Sequence, residues 1–298
     1  IMDNAIRVFS GRTFSPADLE TIKWARRTYP GLSRTELAAT VCELLGWTTP
    51  SGQPKRLQCI KLFDQLEAEG IVQLPPVRAG RYTGMYELPQ MQFDTKEISG
   101  ETRDYEPISL DIARQGQSLT RWRSYINQYH MIGDKSVYGS RLQYFVKSGD
   151  IELGCLQFSA SAWALERRDE WIGWTKDDKK ERLQLIVNNS RFLIFPWVHV
   201  RNLASKSLSL AAKRIREDWL TEYCYAPVLL ETFVDTEHFK GTCYRAANWT
   251  YLGETKGSGR SRDRQNMKSK KSIYVYPLQD DFRECLKGLK PYKVVNPE

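Results

Sequence analysis

Apolar positions in the first 70 residues recur at helical spacing and fall into three segments. Ser15 and Pro16 supply an N-cap and a first-turn proline for a helix that runs to about Tyr29. Ser33 and Glu36 form a capping-box pattern ahead of the apolar run "LAATVCELLGW". The segment "KRLQCIKLFDQLEAEG" predicts a third helix, in which a packing face is formed by Leu57, Ile60, Leu62, Phe63 and Leu66.

A strand-like run, "IVQLPP", and a basic turn, "VRAGRY", follow the third helix. Three short helices, a strand and a basic turn predict a winged helix-turn-helix domain over residues 1–82, in which the third helix enters the DNA major groove. The predicted DNA contacts on this helix and on the wing are Lys55, Arg56, Gln58, Lys61, Arg78 and Arg81. The alternative is the same fold used for protein contact, with a solvated basic face. Residues 83–117 are rich in Gly, Pro and charge, which predicts a linker.

From residue 118 to residue 298 the pattern changes to an alternation of strands and helices. The predicted order is helix, β-hairpin, helix, bulged strand, helix, strand, helix, strand, with a last strand at "SIYVYPL". Pro196 interrupts the strand-like run "RFLIFPWVHV", which indicates a bulge or a sheet edge. We therefore expect a mixed α+β/α/β chain, with a helical domain followed by a mixed-sheet domain.

Composition and charge narrow the classes of function. The 298 residues carry a formal net charge of +8, and no apolar run approaches the roughly 20 residues of a membrane helix. With no signal peptide visible, we expect a cytoplasmic protein without a membrane partner. The six cysteines contain no C-x-x-C pair, which argues against a structural zinc site.

A basic segment at residues 256–271 predicts contact with a phosphate backbone. It has seven Lys or Arg residues against one acid, Asp263, with Gly and Ser spacers. The expected DNA contacts in this loop are Arg260, Arg262, Arg264, Lys268, Lys270 and Lys271. A loop that only keeps the protein soluble is the alternative.

The order of elements from residue 118 resembles that of the GNAT acetyltransferase fold. Within it, "VD…GTCYRAANWTYLGE" resembles the Mom-like DNA-modification proteins of phages. This resemblance implies that the helix after Gly241 borders a cleft at the C-terminal end of a strand. It also implies that Tyr244 could protonate a departing thiolate; the alternative is a tyrosine whose ring packs on the sheet.

A narrower resemblance covers nearly the whole chain. The segments "YHMIG", "FSASAWALERRDEWIGW", "IVNNSRFLIFPWVHVRNLAS", "VLLETFVD" and "IYVYPL" resemble the DruA family of the Druantia anti-phage defence system. The resemblance implies work alongside other defence components, including a helicase.

The GNAT resemblance also implies a place for coenzyme A. GNAT enzymes bind its pyrophosphate with a Q/R-x-x-G-x-G/A turn at a helix N-terminus, and the matching residues here are Arg201, Ala204, Ser205 and Lys206. Because Ala204 and Lys206 replace the two glycines, coenzyme A binding is doubtful and the cofactor stays unknown.

Two carboxylates in one strand suggest further chemistry. Glu231 and Asp235 are four residues apart and share a face of a regular strand. With His130 they could form an acid/base group or a divalent metal site. The alternative is a buried ion pair of a carboxylate with Arg191 or Arg245.

Asparagines at two places could read a base. Asn189 lies in "NNSR", ahead of a strand, where such residues commonly satisfy the backbone of a turn. Asn248 precedes Trp249, which pairs an amide with a stacking ring. Both uses stay open from the sequence alone.

Together these patterns predict a DNA-binding component of anti-phage defence, with a cleft that engages a base or a strand end. Whether the chain is an enzyme stays open. The alternatives are a metal-dependent nuclease or transposase-like enzyme, an acyl-CoA-dependent modifier of DNA bases, and a pure interaction module.

Overall fold

The computed structural model describes residues 7–10, 12–49, 54–76, 88–135, 137, 139–255 and 269–295. The chain opens with a short antiparallel hairpin of β1 (Arg7–Phe9) and β2 (Arg12–Phe14). Three helices follow: α1 (Pro16–Thr28), α2 (Arg34–Leu44) and α3 (Arg56–Ala68).

Both predicted N-terminal caps are confirmed. The Ser15 hydroxyl accepts the N–H of Asp18, and the Ser33 hydroxyl accepts the N–H of Glu36. In each case the acidic side chain returns a hydrogen bond to the backbone N–H of the serine, which completes a capping box.

The region after α3 differs from the prediction. Residues 71–76 form no strand; Pro75 and Pro76 have no N–H to donate to a ladder. Leu57, expected on the packing face of α3, is 73% exposed. The predicted wing residues Arg78 and Arg81 lie outside the described residues, and the winged-helix assignment stays a prediction.

Part of the expected linker belongs to folded structure. Within residues 83–117 the chain forms β3 (Ile98–Glu101) and β4 (Ile108–Ile112). β4 pairs with the strand at residues 141–148. The composition of residues 83–117 does not indicate this pairing.

The order of elements predicted after residue 118 is confirmed in outline. The expected strand "RFLIFPWVHV" is divided into two strands at Pro196, and the structure adds helices at residues 166–172 and 282–286. The elements are α4 (Gln117–Tyr129), β5 (Arg141–Ser148), β6 (Ile151–Ala160), α5 (Glu166–Ile172), α6 (Lys176–Arg182), β7 (Ile186–Ile194), β8 (Val198–Arg201), α7 (Leu203–Tyr223), β9 (Leu229–Asp235), α8 (Thr242–Ala246), β10 (Thr250–Glu254), β11 (Lys271–Pro277) and α9 (Phe282–Leu286).

Seven of the described strands form one mixed sheet in the order β10-β11-β9-β7-β6-β5-β4. Strands β7 and β9 are parallel, with α7 as their crossover, and the other neighbours in this sheet are antiparallel. Strands β3 and β8 form a separate parallel pair. The alternation of strand direction is therefore interrupted once in this sheet, between β7 and β9.

The N-terminal helices pack onto the sheet domain. The ring of Tyr29, which follows α1, meets the ring of Tyr225 edge-on at 5.4 Å between centroids. Buried apolar side chains continue from α1–α3 into the sheet as one hydrophobic core. In the part of the chain that the structure describes, no helix has the length and apolar character needed to cross a membrane.

Candidate functional site

A cleft lies between β7 and β9. The two strands pair only where residues 186–188 face residues 229–231. Beyond that point a cavity of about 620 Å³ is lined by residues 129–132, 189–194, 232–235 and 239–244, with Ser269 and Lys271. It lies at the C-terminal ends of both strands, where α/β sheets commonly bind ligands. The predicted position of the helix after Gly241 beside a cleft is therefore confirmed.

A β-bulge shapes the β7 wall of the cleft. Gln157 of β6 faces Arg191 and Phe158 faces Asn189, which leaves Ser190 as the extra residue. The sequence placed the bulge at Pro196, which instead follows the end of β7. The "NNSR" segment, expected as a turn ahead of the strand, lies within β7 because its residues pair with β6.

Asn189 closes this bulge. Its side-chain N–H₂ group donates to the carbonyls of Gln157 and Arg191, each at 3.1 Å. Its amide oxygen accepts the hydroxyl of Tyr244 at 2.7 Å. With donors and acceptor engaged inside the protein, the Asn189 amide supports the strand rather than facing a ligand.

Tyr244 links α8 to the sheet. Its ring stacks on Tyr274 at 5.6 Å and meets Trp249 edge-on at 5.1 Å. Burial raises the pKa of Tyr244 above the ordinary tyrosine value. Its hydroxyl proton is committed to Asn189, so the geometry matches the packing alternative for this tyrosine.

The structure brings His130 and Asp235 to the same cleft. Burial, with a smaller contribution from Arg191, lowers the pKa of His130 to about 4, so its ring is neutral at pH 7. Its Nδ1 accepts the N–H of Ile132 at 3.2 Å. Burial alone would raise the pKa of Asp235, but a hydrogen bond from the Glu237 N–H and other contacts lower it.

Glu231 does not line the cleft. Its carboxylate is fully buried, 2.8 Å from Arg168 Nη1, and it accepts the N–H of Ala162 at 2.9 Å. Glu231 therefore forms the buried ion pair that the sequence suggested as an alternative. Its partner is Arg168, whereas the sequence suggested Arg191 or Arg245. The Arg191 guanidinium instead donates to main-chain carbonyls, including those of Gly133 and Ser190.

Among the described residues, a different trio could hold a metal ion. Asp235, Glu237 and His238 each place one ligand atom within 4.8 Å of the others. Glu237 and His238 are exposed, and both oxygens of Asp235 already accept hydrogen bonds, from the Glu237 N–H and the Ser269 hydroxyl. The predicted pairing of Glu231 with Asp235 at one ion is not seen, since Glu231 is held by Arg168.

The start of α7, where coenzyme A would place its pyrophosphate, is already paired with acidic side chains. Lys206 Nζ lies 2.7 Å from the Glu106 carboxylate, and Arg201 lies 3.4 Å from Glu101. The Ser205 hydroxyl donates to the Asn202 carbonyl at 3.1 Å. The remaining predicted residue, Ala204, lies in the first turn of α7. A diphosphate bound through the Arg201 and Lys206 side chains would compete with two of the protein's own carboxylates.

The Asn248-Trp249 pair is separated by the fold. Asn248 is exposed, in a left-handed turn conformation with φ 62°, and is not part of the cleft lining. Trp249 is buried between Tyr244 and Tyr276. Its ring therefore packs in the core and offers no open face for a base.

The predicted DNA contacts are distributed over two regions. On α3, Lys61 is exposed, whereas Lys55, Arg56 and Gln58 are partly buried. Lys271 lines the cleft and Lys270 beside it is exposed. The predicted contacts Arg260, Arg262, Arg264 and Lys268 lie outside the described residues.

The sequence reasoning missed three residues at the cleft. Phe239 and Met131 line it although they are 57% and 54% exposed, and Lys240 lines it beside Phe239. A usable signal was present: an aromatic residue and a lysine in a polar turn directly after a buried strand, where binding residues concentrate.

Solved structures similar to this chain include several acetyltransferases. An aminoglycoside acetyltransferase in complex with coenzyme A is 12% identical, covering 57% of this chain and 94% of its own, with a TM-score of 0.37. A Bacillus subtilis acetyltransferase in complex with coenzyme A is 7% identical, covering 58% and 99%, with a TM-score of 0.36. FeeM, an N-acyl amino acid synthase from uncultured soil microbes, is 11% identical, covering 58% and 92%, also at 0.36.

The sequence has no significant match among curated proteins. The profile of one protein family, described as Druantia protein DruA, matches residues 87–266. The matched region contains β7, β9, α8 and most of the cleft lining, and it spans more than half of the chain. The protein therefore belongs to the DruA family.

Proposed function

We propose that this protein is a DNA-binding component of a Druantia anti-phage defence system, in which the cleft between β7 and β9 engages a base or a strand end. Family membership supports the link to defence. The proposal includes further components of that system, a helicase among them, as partners.

The observation that carries the proposal is the combination of a cleft and basic side chains at its rim. Lys240 and Lys271 both line the cavity. The basic segment 256–268 connects Thr255 to Ser269, and both of these ends lie at this side of the sheet: Thr255 bonds to Lys271, and Ser269 lines the cleft. A cationic rim attracts a polyanion such as DNA.

The N-terminal helices supply a second contact in this proposal. Lys61 is exposed on α3, with Lys55, Arg56 and Gln58 at the start of the same helix. These residues would contact DNA in the manner of a recognition helix, while the cleft engages an end or an unpaired position.

The test is DNA binding across a salt series, with single-stranded, duplex and branched DNA, by fluorescence anisotropy. We expect affinity to fall steeply with salt, with a log–log slope of about −0.7 to −0.9 for each phosphate contact. The double variant Lys240→Ala/Lys271→Ala should weaken binding and flatten the slope by about 1 to 2. The matched control is Lys213→Ala, an exposed lysine on α7 that does not line the cleft.

Two results would overturn the proposal. The absence of binding to every DNA at low salt would remove the DNA function. Cleavage that requires magnesium or manganese and disappears in Asp235→Ala would identify a nuclease. Each reaction is therefore run with and without divalent metal and coenzyme A, and the DNA is inspected for change.

A further inference from the structure

Among the described residues, the cleft-facing edge of β7 has main-chain groups that no strand pairs with beyond Asn188. In an antiparallel pair, successive residues turn their N–H and C=O groups alternately toward the partner strand and away from it. The N–H of Phe195 donates to the carbonyl of Leu153, at the start of β6, at 3.1 Å. Between Phe195 and the bulge at Ser190 this alternation is regular. Ile194 and Phe192 therefore turn their peptide groups away from β6, toward the cleft.

No described strand covers this edge. Pairing between β7 and β9 stops at Asn188 and Glu231, before Phe192 is reached. On the opposite wall, the Thr236 N–H donates to the Lys270 carbonyl. By the same alternation, the peptide groups of Phe233 face the cleft. The cleft is thus bordered by main-chain donors and acceptors of two strands that have separated.

The side-chain amides near this edge are not available for recognition. The Asn189 amide is consumed by the bulge and by Tyr244. Asn248 lies outside the lining. The peptide groups of Phe192 and Ile194 can therefore supply polar recognition within the cleft, beside the side chains of His130, Asp235 and Ser269 that also line it.

The remaining lining indicates what kind of ligand fits. Phe239 and Met131 offer exposed apolar surface at the cleft, and Lys240 and Lys271 offer positive charge. A ligand that matches the open main chain, the apolar surface and the positive charge has a hydrogen-bonding edge, a flat apolar ring and an attached anion. A nucleobase with its backbone phosphate has this chemistry.

We propose that the cleft binds one unpaired nucleobase of a DNA strand through the main chain of β7. The base edge pairs with the peptide groups of Phe192 and Ile194, the ring packs against Phe239, and Lys240 and Lys271 bind the adjacent phosphate. This inference rests on the proposed DNA binding and adds to it how a base is recognised.

The test varies a single unpaired position in an otherwise constant DNA. Three versions carry thymine, its nonpolar isostere difluorotoluene, or an abasic site at that position. Because each net hydrogen bond contributes a factor of about 2 to 10 in affinity, we expect the isostere to bind about tenfold more weakly than thymine. The abasic DNA should bind more weakly still, since it also loses stacking.

The outcomes separate this inference from the proposed function. Equal affinity for thymine and isostere would overturn main-chain recognition of the base edge, and equal affinity for all three would overturn base binding, while DNA binding itself would stand. Failure to bind any of the three would overturn the proposed function and this inference with it.

Protein variants give an independent readout. Phe239→Ala should weaken binding of the thymine DNA at least about fivefold through lost stacking and leave the abasic DNA unaffected. Leu289→Ala, which removes a side chain 73% exposed outside the cleft, is the matched control and should change neither. Asn248→Ala should also change neither. Loss of the thymine preference in Asn248→Ala would assign recognition to a side chain and overturn the proposal.

Discussion

At the scale of single residues, Gly241 shows how little space surrounds the start of α8. Its φ of 66° lies in the left-handed region, which a side chain disfavours. A Cβ atom at this position would lie 2.5 Å from the hydroxyl oxygen of Tyr274. Backbone conformation and packing therefore both require glycine between the cleft-lining turn and the helix of Tyr244.

We predict that Gly241→Ala lowers the free energy of unfolding by about 2 to 4 kcal/mol, the sum of left-handed strain and overpacking. Gly149→Ala is the matched control: its φ is 55°, and a Cβ there meets nothing within 4 Å. That variant should lose only about 1 kcal/mol. Urea unfolding measures both, and equal losses would contradict the steric argument.

The buried ion pair of Arg168 and Glu231 is a second feature at the scale of single residues. Both side chains are fully buried, and a buried charge without a partner is strongly destabilising. Arg168 also contacts Asp169 at 2.8 Å within α5, and its pair with Glu231 fixes this helix against β9. A loss of function in a Glu231 variant would therefore first have to be separated from a loss of folding.

At the scale of elements, β3 and the turn after it pack against the segment that leads into α7. β3 pairs in parallel with β8, and the Thr102 hydroxyl donates to the Arg201 carbonyl. Glu101 and Glu106 then supply the carboxylates that pair with Arg201 and Lys206. A helix N-terminus that attracts phosphate in principle here has two of the chain's own carboxylates close to it.

We predict that coenzyme A in excess leaves the melting temperature unchanged within about 1 °C. A ligand at a hundredfold excess over its dissociation constant would stabilise the fold by about 2.7 kcal/mol, which thermal unfolding detects easily. The double variant Glu101→Gln/Glu106→Gln tests the cause, since binding that emerges only there supports charge exclusion. A saturable rise with the unchanged protein would contradict the prediction.

At the scale of the whole molecule, a small cavity of about 50 Å³ lies between the N-terminal helices and the sheet domain. Glu43 of α2 and Tyr29 contribute from one side, and Ser140, Gln184 and Tyr225 from the other. Burial raises the pKa of Glu43 from 4.5 to about 7. The contact between the two parts of the chain therefore contains a carboxyl that favours its neutral form.

We predict that Glu43→Gln stabilises the protein above pH 7. Because the pKa of Glu43 is raised in the folded state, folding is most favourable below about pH 4.5, where this carboxyl is neutral in both the folded and the unfolded protein. That stability is lost as the pH rises through about 7. The gain from the variant should thus be near zero at pH 4.5 and roughly 1 to 2 kcal/mol at pH 8, less than the full shift implies because the site keeps some solvent contact.

Thermal unfolding across this pH range provides the measurement, with Glu170→Gln as an exposed control on α5. The control should show no trend with pH relative to the unchanged protein. A gain in Glu43→Gln that is constant with pH would contradict the assigned cause.

Local signals in the sequence determined most of the elements. The capping boxes at Ser15 and Ser33 place the starts of α1 and α2, because both partners of each box lie within four residues. The hairpin of β5 and β6 and the long helix α7 follow from turn residues and periodicity in the same way. The sequence also predicted the cleft beside the "GTCY" segment, through resemblance to known families.

Tertiary structure decided what depends on distant partners. It placed β11 between β9 and β10, paired β4 with β5, and gave Glu231 a partner 63 residues away in Arg168. It also stopped the pairing of β7 with β9 at Asn188, which leaves the cleft and its main-chain edge open. Strand neighbours and buried charge partners are set by packing across the whole core, so no local pattern contains them.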